Sequence, residues 1–261
     1  MPRGSIRVIA RSVIGLIALV LFYADADAED GGVATISPAL CEGMKSHNVM
    51  RPISPVGCDR LRLVTFPYYG FDGRVHSDGQ IVVMDAAANS VLQVFLKLRQ
   101  MQFPIAKARL MDHYKGNDSA STADNNTSSF NARQSTGGSS LSMHAFGLAI
   151  DLNPVQNPYV MGRRVAPASA AAYADRVLVR PGMAESVIDA FAEQGFTVWG
   201  GTWRNPIDYQ HFQVPRPMAE RLAGMSSAQA VIAFKRYVDR IRACRRNAAP
   251  SAPQSQCIDA R

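Results

Sequence analysis

Apolar and polar residues alternate in short blocks along the chain, and these blocks predict a mixture of strands and helices. Residues 61–66 and 80–84 are apolar, β-branched runs separated by a segment rich in Gly and Asp, which is typical of two strands joined by a turn. From residue 86 to 101 the apolar side chains recur at helical spacing, and Asp85 stands where a helix N-cap is expected. Residues 105–111 are predicted to form another strand.

A long polar segment, residues 116–140, interrupts this pattern. Of its 25 residues, 19 are Gly, Ser, Thr, Asn or Asp, which cannot supply a periodic apolar face, so we predict a long surface loop. Loops of this length inside compact domains are commonly functional, and we expect this one to form one wall of a cleft. The chain then continues with a predicted helix at 183–194, strands at 196–199 and 209–214, and a basic amphipathic helix at 227–244.

These elements together predict an α+β fold, with a small, mostly antiparallel sheet and helices packed on one of its sides. No internal repeat is present in the sequence. The length of 261 residues allows one sizeable core with appendages, or at most two small domains. The composition, 47% hydrophobic and 19% charged, excludes a disordered tail and a fibrous rod.

The N-terminus has the three parts of a secretory signal peptide. Arginines up to Arg11 precede an apolar stretch at residues 13–23, and Ala26-Asp27-Ala28 follows as the cleavage site, with cleavage after Ala28. The apolar stretch is shorter than the ~20 residues that span a bilayer, although a retained N-terminal anchor is the alternative. We therefore expect a periplasmic or secreted protein with no stable membrane span after cleavage of the signal.

Four cysteines lie in two local pairs at opposite ends of the chain. In an oxidising compartment they are expected to form disulfides Cys41–Cys58 and Cys244–Cys257, although four cysteines allow three pairings. Neither pair has the CxxC spacing of a thiolate zinc site or a redox motif. The net charge of +7 suits a polyanionic partner, but an exported protein meets anionic cell wall before nucleic acid, so we expect no nucleic-acid partner.

The first candidate for chemistry is the segment 142–151, Ser-Met-His-Ala-Phe-Gly-Leu-Ala-Ile-Asp. From Phe146 onward apolar side chains alternate with small ones, so one face of the predicted strand is packed and the other ends in the carboxylate of Asp151. Small residues beside an acid leave room for an ion or a substrate. His144 has the opposite parity to Asp151, so the two can bind one ion only if the chain bends between His144 and Phe146.

The second candidate is Asp208 with His211, which come to one side only if a tight turn follows Pro206. A catalytic zinc site needs three nitrogen or oxygen ligands from the protein, an open position for water, and a carboxylate that is not a ligand to take the proton of that water. His144, Asp151 and His211 would supply the three ligands. Asp208 would supply the base.

The two segments together carry a resemblance to a known family. Ser142, His144, Gly147, Ala149 and Asp151 match Ser-x-His-x-x-Gly-x-Ala-x-Asp, and Asp208 with His211 matches a later acid-x-x-His. The chain resembles the zinc D-alanyl-D-alanine carboxypeptidases and the L-alanyl-D-glutamate endopeptidases of phage lysins, as an extensin-like or carboxypeptidase-like bacterial member. These enzymes share a fold group with lysostaphin-type peptidases and the hedgehog signalling domain. The resemblance covers about residues 61–214.

The resemblance implies a fold of the hedgehog and D-Ala-D-Ala peptidase type and a division of the chain into four parts. These would be the signal peptide 1–28, a disulfide-stapled segment 29–60, a zinc peptidase domain 61–216, and a C-terminal helix and stapled tail 217–261. It also implies Zn²⁺ as cofactor and a peptide bond of the peptidoglycan stem peptide as the substrate. The bond is of the D-Ala-D-Ala carboxypeptidase or the L-Ala-D-Glu endopeptidase type, and we expect the protein to act as a monomer.

The family uses an arginine on the strand before the motif to hold the substrate, and Arg109 has that position, with Arg133 as the alternative. Ser142 and Trp203, which follows two glycines, are further candidates for contact with the substrate. Two other functions stay open. One is a catalytically inactive zinc-binding module that recognises cell wall or a protein partner, and the presence of Asp208 argues against it. The other is a basic wall-binding or nucleic-acid-binding protein without a metal.

Overall fold

The structure, a computed structural model, describes residues 30–247 together with Met1 and Cys257. The predicted signal peptide, apart from Met1, lies outside the described residues. Within the described part of the chain, every helix is too short or too polar to cross a bilayer.

The described residues form short helices and strands linked by one-turn 3-10 helices and irregular segments. The α-helices are α1 (Pro38–Ser46), α2 (Ala88–Gln100), α3 (Asp118–Ala123), α4 (Ile188–Ala192), α5 (Arg216–Ala223) and α6 (Ser227–Asn247). The strands are β1 (Gly32–Thr35), β2 (Leu61–Tyr69), β3 (Val75–Met84), β4 (Ala149–Asp151), β5 (Tyr159–Met161), β6 (Arg164–Ala166), β7 (Val198–Trp199), β8 (Ile207–Asp208) and β9 (His211–Gln213).

These strands form three separate antiparallel sheets, with the orders β1-β2-β3, β4-β9-β7 and β6-β5-β8. The predicted α+β class with antiparallel pairing is therefore confirmed. A single sheet was expected, and in its place the described residues distribute their strands over three small ones.

The hairpin of β2 and β3 is the longest paired element, and its two predicted strands and the helix after it are confirmed. Helix α2 packs on the hairpin, where the ring of Phe95 stacks on that of Phe66 with centroids 3.7 Å apart. The sequence suggested that Asp85 caps α2, but the structure shows no such cap. The buried carboxylate of Asp85 accepts a bond of 2.8 Å from Nε of Arg60 instead, because a buried charge needs an ionic partner.

Two predictions between α2 and β4 are wrong. Residues 105–111 form no strand, because this segment bonds to β2 and β3 only at isolated points, such as the amide of Gln80 to the carbonyl of Ala108. The polar segment 116–140 is not a surface loop throughout, since it contains α3 and a buried stretch at 126–132. Side chains of that stretch, such as Asn126, are buried because they replace water with hydrogen bonds to backbone groups.

The C-terminal part of the described chain closes over the core. The predicted helix at 227–244 is confirmed as α6, and α5 before it was not predicted. Phe234 of α6 packs so closely on Gly195 that a Cβ there would lie 2.8 Å from its ring. The predicted helix 183–194 is shorter than expected, with α4 preceded by a single 3-10 turn.

Both expected disulfides are present, Cys41–Cys58 and Cys244–Cys257. The first joins α1 to the start of β2, and the second joins the end of α6 to the C-terminal tail. Neither pair lies at the cavity described next, so the cysteines serve as covalent links at the two ends of the fold.

Candidate active site

A cavity of about 740 Å³ opens beside the sheet of β4, β9 and β7. Segments far apart in sequence line it, namely parts of the polar segment 116–140, the turn before β4, the hairpin of β5 and β6, and the chain from 203 to 216. His144, Asp151 and His211 all lie on its wall. They are 3%, 4% and 7% exposed, so all three are buried although they line the cavity.

His144 reaches the cavity because the chain turns sharply just before β4. Residues 143–146 form one turn of 3-10 helix, whose first residue is preceded by Ser142; the Ser142 hydroxyl accepts a bond from the amide of His144. Gly147 ends this turn with φ of +67°, and a Cβ there would lie 2.7 Å from the backbone nitrogen of Met84. The bend that the parity of His144 and Asp151 required is therefore present, and Gly147 makes it sterically possible.

Asp151 and His211 are direct partners across the β4–β9 ladder. Opposite residues of an antiparallel pair project to the same face with Cβ atoms about 5 Å apart. Asp208 lies on the separate short strand β8, and the turn between β8 and β9 returns its side chain to the cavity. The tight turn that the spacing required after Pro206 is thus present.

The polar atoms of the three residues converge. Nε2 of His144 is 3.1 Å from Oδ2 of Asp151 and 3.2 Å from Nδ1 of His211. Nδ1 of His211 is in turn 3.0 Å from Oδ1 of Asp151. Two imidazole nitrogens and a carboxylate within this distance form a cluster that could hold a metal ion.

The outward nitrogen of each imidazole is fixed by an oxygen that can only accept. Nδ1 of His144 donates to the carbonyl of Ser129 at 2.7 Å, and Nε2 of His211 donates to Oε1 of Gln213 at 2.8 Å. In the neutral rings the inward nitrogens, Nε2 of His144 and Nδ1 of His211, then carry lone pairs. Partners of this kind orient histidines in metal sites and set their tautomers.

Three electron-pair donors that face one another at 3.0–3.2 Å repel each other unless a cation lies among them. In the metal-free protein a proton shared within the cluster would relieve this repulsion. Although burial disfavours the imidazolium, the bond to Asp151 and its charge raise the pKa of His211. Burial also disfavours the carboxylate of Asp151, but the charge of His144 and the bonds to both rings hold its pKa below the usual range.

Asp208 faces the same cavity without joining this network. Its Oδ1 atom is buried and has no hydrogen-bond partner among the described residues. Burial, and then the charge of Asp151, raise the pKa of Asp208 to about 7. Gly200 lies against its backbone, where a Cβ would come within 2.5 Å of the Asp208 carbonyl. A carboxyl group with a pKa near neutrality is suited to accept and return a proton.

Three of the remaining predicted site residues line the cavity, and one does not. Trp203 lines the cavity, with its ring tilted against His211 at 5.5 Å between centroids. Ser142 also lines it, although its hydroxyl is used to hold the turn of His144. Arg133 lines the cavity and pairs with Asp118 at 2.9 Å.

Arg109 does not line this cavity and is exposed. It belongs to the segment that fails to form the predicted strand, so the positional argument that selected it lacks its structural basis. Of the two arginines considered, the structure brings only Arg133 to the cluster.

Sequence reasoning missed several residues of the site. Ser129 contributes a backbone carbonyl, which no side-chain pattern reveals. Gln213 could have been found, because it lies two residues after His211 on a strand and therefore on the same face. Tyr159, Arg164 and Arg216 also line the cavity, from β5, β6 and the start of α5.

Comparison with known families agrees with this geometry. Residues 136–214 match the model of a family described as D-alanyl-D-alanine carboxypeptidase. The match covers less than a third of the chain and includes all three residues of the cluster and Asp208. It supports the resemblance at the level of that family, and no narrower group such as an extensin-like one. No curated protein and no solved structure gave a match.

Proposed function

We propose that this protein is a zinc-dependent peptidase that hydrolyses a peptide bond in the stem peptide of peptidoglycan. His144, Asp151 and His211 hold the metal, and Asp208 is the general base. The observation that carries the proposal is the convergence of three electron-pair donors. Hydrogen bonds to Ser129 and Gln213 orient both imidazoles so that the nitrogen with the lone pair faces the other ligands.

The donor set fits zinc. Two imidazoles and one carboxylate leave a fourth position for water or substrate in a tetrahedral site, as catalytic zinc sites do, whereas structural zinc sites use four protein ligands. The cluster lies in the wall of a cavity of about 740 Å³, which a peptide of a few residues can enter. Bound zinc supplies Lewis-acid polarisation of a carbonyl group and activation of water near neutral pH.

Asp208 performs the proton transfers of this reaction. Its carboxylate, which lies on the cavity wall, accepts a proton from the attacking water, and the carboxylic acid then delivers that proton to the nitrogen of the leaving amine. Burial, the largest cause of the raised pKa of Asp208, favours the carboxylic acid that returns the proton.

Arg133 and Trp203 contact the substrate in this proposal. Asp118 holds the guanidinium of Arg133 at the cavity wall, where its positive charge suits a carbonyl or carboxylate group of the substrate. The indole of Trp203 beside His211 forms an apolar surface for the peptide close to the metal ligands.

The family match and the disulfides support the cellular setting. Disulfides persist in oxidising compartments, which agrees with export by an N-terminal signal. We infer that the protein acts on cell wall in the periplasm or outside the cell, as a monomer.

The experiment is hydrolysis of defined muropeptides by the full mature chain, followed by mass analysis of the products. Zinc-loaded protein is expected to release one defined fragment, whose mass tells a terminal D-Ala from a cut within the stem. Chelation should abolish release, and added zinc should restore it. Asp208→Asn should keep one zinc per chain but lose about 10²–10⁴-fold in rate.

Matched variants distinguish loss of a metal ligand from general loss of folded protein. His144→Ala and His211→Ala should lose zinc and activity together. His113→Ala replaces an exposed histidine outside the cavity, so it should keep both. Stoichiometric zinc with every muropeptide uncut would refute the peptidase and favour an inactive zinc-binding module. Wall binding that survives chelation unchanged would favour a metal-free wall-binding protein.

A further inference from the structure

Tyr159 is a cavity residue that the proposed reaction does not yet use. It is the first residue of β5 and pairs directly with Asp208 across the β5–β8 ladder. Both side chains therefore project to the same face, where both line the cavity. The negative charge of Asp208 raises the pKa of Tyr159, which agrees with this proximity.

The hydroxyl of Tyr159 lacks a strong hydrogen-bond partner. Its one contact among the described residues is with Sδ of Met161 at 3.7 Å, and a thioether is a weak acceptor. The residue as a whole is only 9% exposed, so packing holds the ring in place. A packed tyrosine normally directs its hydroxyl to a partner. Because Tyr159 lines the cavity, a ligand bound there could supply one.

We propose that Tyr159 is a catalytic residue, whose hydroxyl donates a hydrogen bond to the carbonyl oxygen of the peptide bond that is cut. This role rests on the proposed peptidase function. A carbonyl oxygen is the complementary acceptor for a phenol, and it becomes more negative as water attacks the carbon. The donor therefore stabilises the transition state more than the bound substrate.

The hydroxyl stays protonated under the conditions of this reaction. Burial, and then the charge of Asp208, raise the pKa of Tyr159 above its ordinary value near 10. It therefore donates a hydrogen bond without transferring its proton, and proton transfer remains with Asp208.

The place of Tyr159 in the fold makes it a fixed donor. Strand β5 is the central strand of its sheet, with β6 on one side and β8 on the other. Strand β8 carries the base, so donor and base lie on paired strands and keep their mutual geometry. Such preorganised donors are worth more than mobile ones.

The test compares Tyr159→Phe with wild type and with Tyr69→Phe. Tyr69 lies on β2 away from the cavity, so its variant removes the same atom from another part of the protein. Three quantities are measured on zinc-loaded protein: kcat and KM for the muropeptide that wild type cuts, and the Kd of its phosphinate analogue, which imitates the tetrahedral oxyanion.

The expected result is a fall of about 100-fold in kcat for Tyr159→Phe with little change in KM. The Kd of the phosphinate analogue should rise by a similar factor. Zinc content and melting temperature should stay at wild-type values, because the lost hydroxyl contacts only a thioether. Tyr69→Phe should match wild type in every measurement.

Three contrary results can be told apart. Active wild type with Tyr159→Phe at the same kcat and the same phosphinate Kd would overturn the role of Tyr159 and leave the peptidase intact. An increase in KM alone would make Tyr159 a ground-state contact and would equally overturn the catalytic role. Zinc-loaded wild type that cuts no muropeptide would overturn the peptidase and this role with it.

Discussion

Replacing Gln213 with leucine tests how the cluster is organised without touching a ligand. Oε1 of Gln213 accepts a hydrogen bond of 2.8 Å from Nε2 of His211, and this bond leaves the lone pair of Nδ1 free for a cation. The other contact of the Gln213 amide, to the carbonyl of Val214, is 3.4 Å long and weak. The variant therefore removes essentially one interaction, because the leucine side chain cannot accept a hydrogen bond from His211.

The expected loss is about 10–100-fold in zinc affinity, the usual effect of removing such a partner from a ligand histidine. This corresponds to about 1.4–2.8 kcal/mol. The burial of His211, which is 7% exposed, places the result toward the upper end, since little water can replace the lost acceptor. Gln213→Glu keeps an acceptor at the same position, so it should bind zinc at least as tightly as wild type.

The assay is competition for zinc between dialysed protein and a chromophoric chelator of known affinity. Gln93→Leu on the exposed face of α2 is the matched control and should equal wild type. Equal affinities for Gln213→Leu, Gln93→Leu and wild type would refute the reasoning, because the orientation of His211 would then not depend on its outward bond.

Three further predictions follow from the same structure. Because the pKa of Asp208 is raised to about 7, its contribution to the stability of the metal-free protein is fully present below pH 4 and is lost as pH rises through 7. Metal-free Asp208→Asn should therefore melt above wild type at pH 8, and an equal or lower melting temperature would contradict this. Gly147→Ala should destabilise the fold by more than the about 1–2 kcal/mol that a left-handed residue costs, because backbone lies in the way of the new Cβ. Gly137→Ala, at a similar φ in open space, should lose only that cost in chemical denaturation, and equal losses would contradict the steric argument. Arg133→Met should raise KM for the muropeptide about tenfold or more while Arg109→Met leaves it unchanged, and the reverse result would restore Arg109 as the substrate arginine.

The elements predicted best are those whose sequence signal is local. The apolar runs predicted the strands β2 and β3 and helix α2, although β2 ends three residues later than expected and β3 begins five residues earlier, in a polar segment. Helix α6 is found for the same reason.

The predictions failed where long-range contacts decide the structure. Residues 126–132 look exposed because they are polar, but the carbonyl and amide of Ser128 bond to the backbone of Asp151, and the Ser129 hydroxyl bonds to the carbonyl of Ala149. Burial of such residues depends on partners some twenty positions away. No local pattern contains that information.

For the candidate site, the ligand types followed from the side chains that catalytic zinc sites use. The required bend followed from the opposite parity of His144 and Asp151. The structure brings both residues to His211, and Gly147 provides the bend. The substrate arginine could not be fixed in the same way, because its position was inferred from a strand that does not form.

The most direct test of the central claim is X-ray absorption spectroscopy at the zinc edge on the full mature chain loaded with one equivalent of zinc. The account predicts two imidazole nitrogens at about 2.0–2.1 Å, further oxygen ligands at about 2.0–2.2 Å and no sulfur. His144→Ala and His211→Ala should each lose the zinc on dialysis, and zinc added back in excess should show at most one imidazole. A shell with sulfur, or one unchanged by either variant, would contradict the assignment of His144, Asp151 and His211 as the metal site.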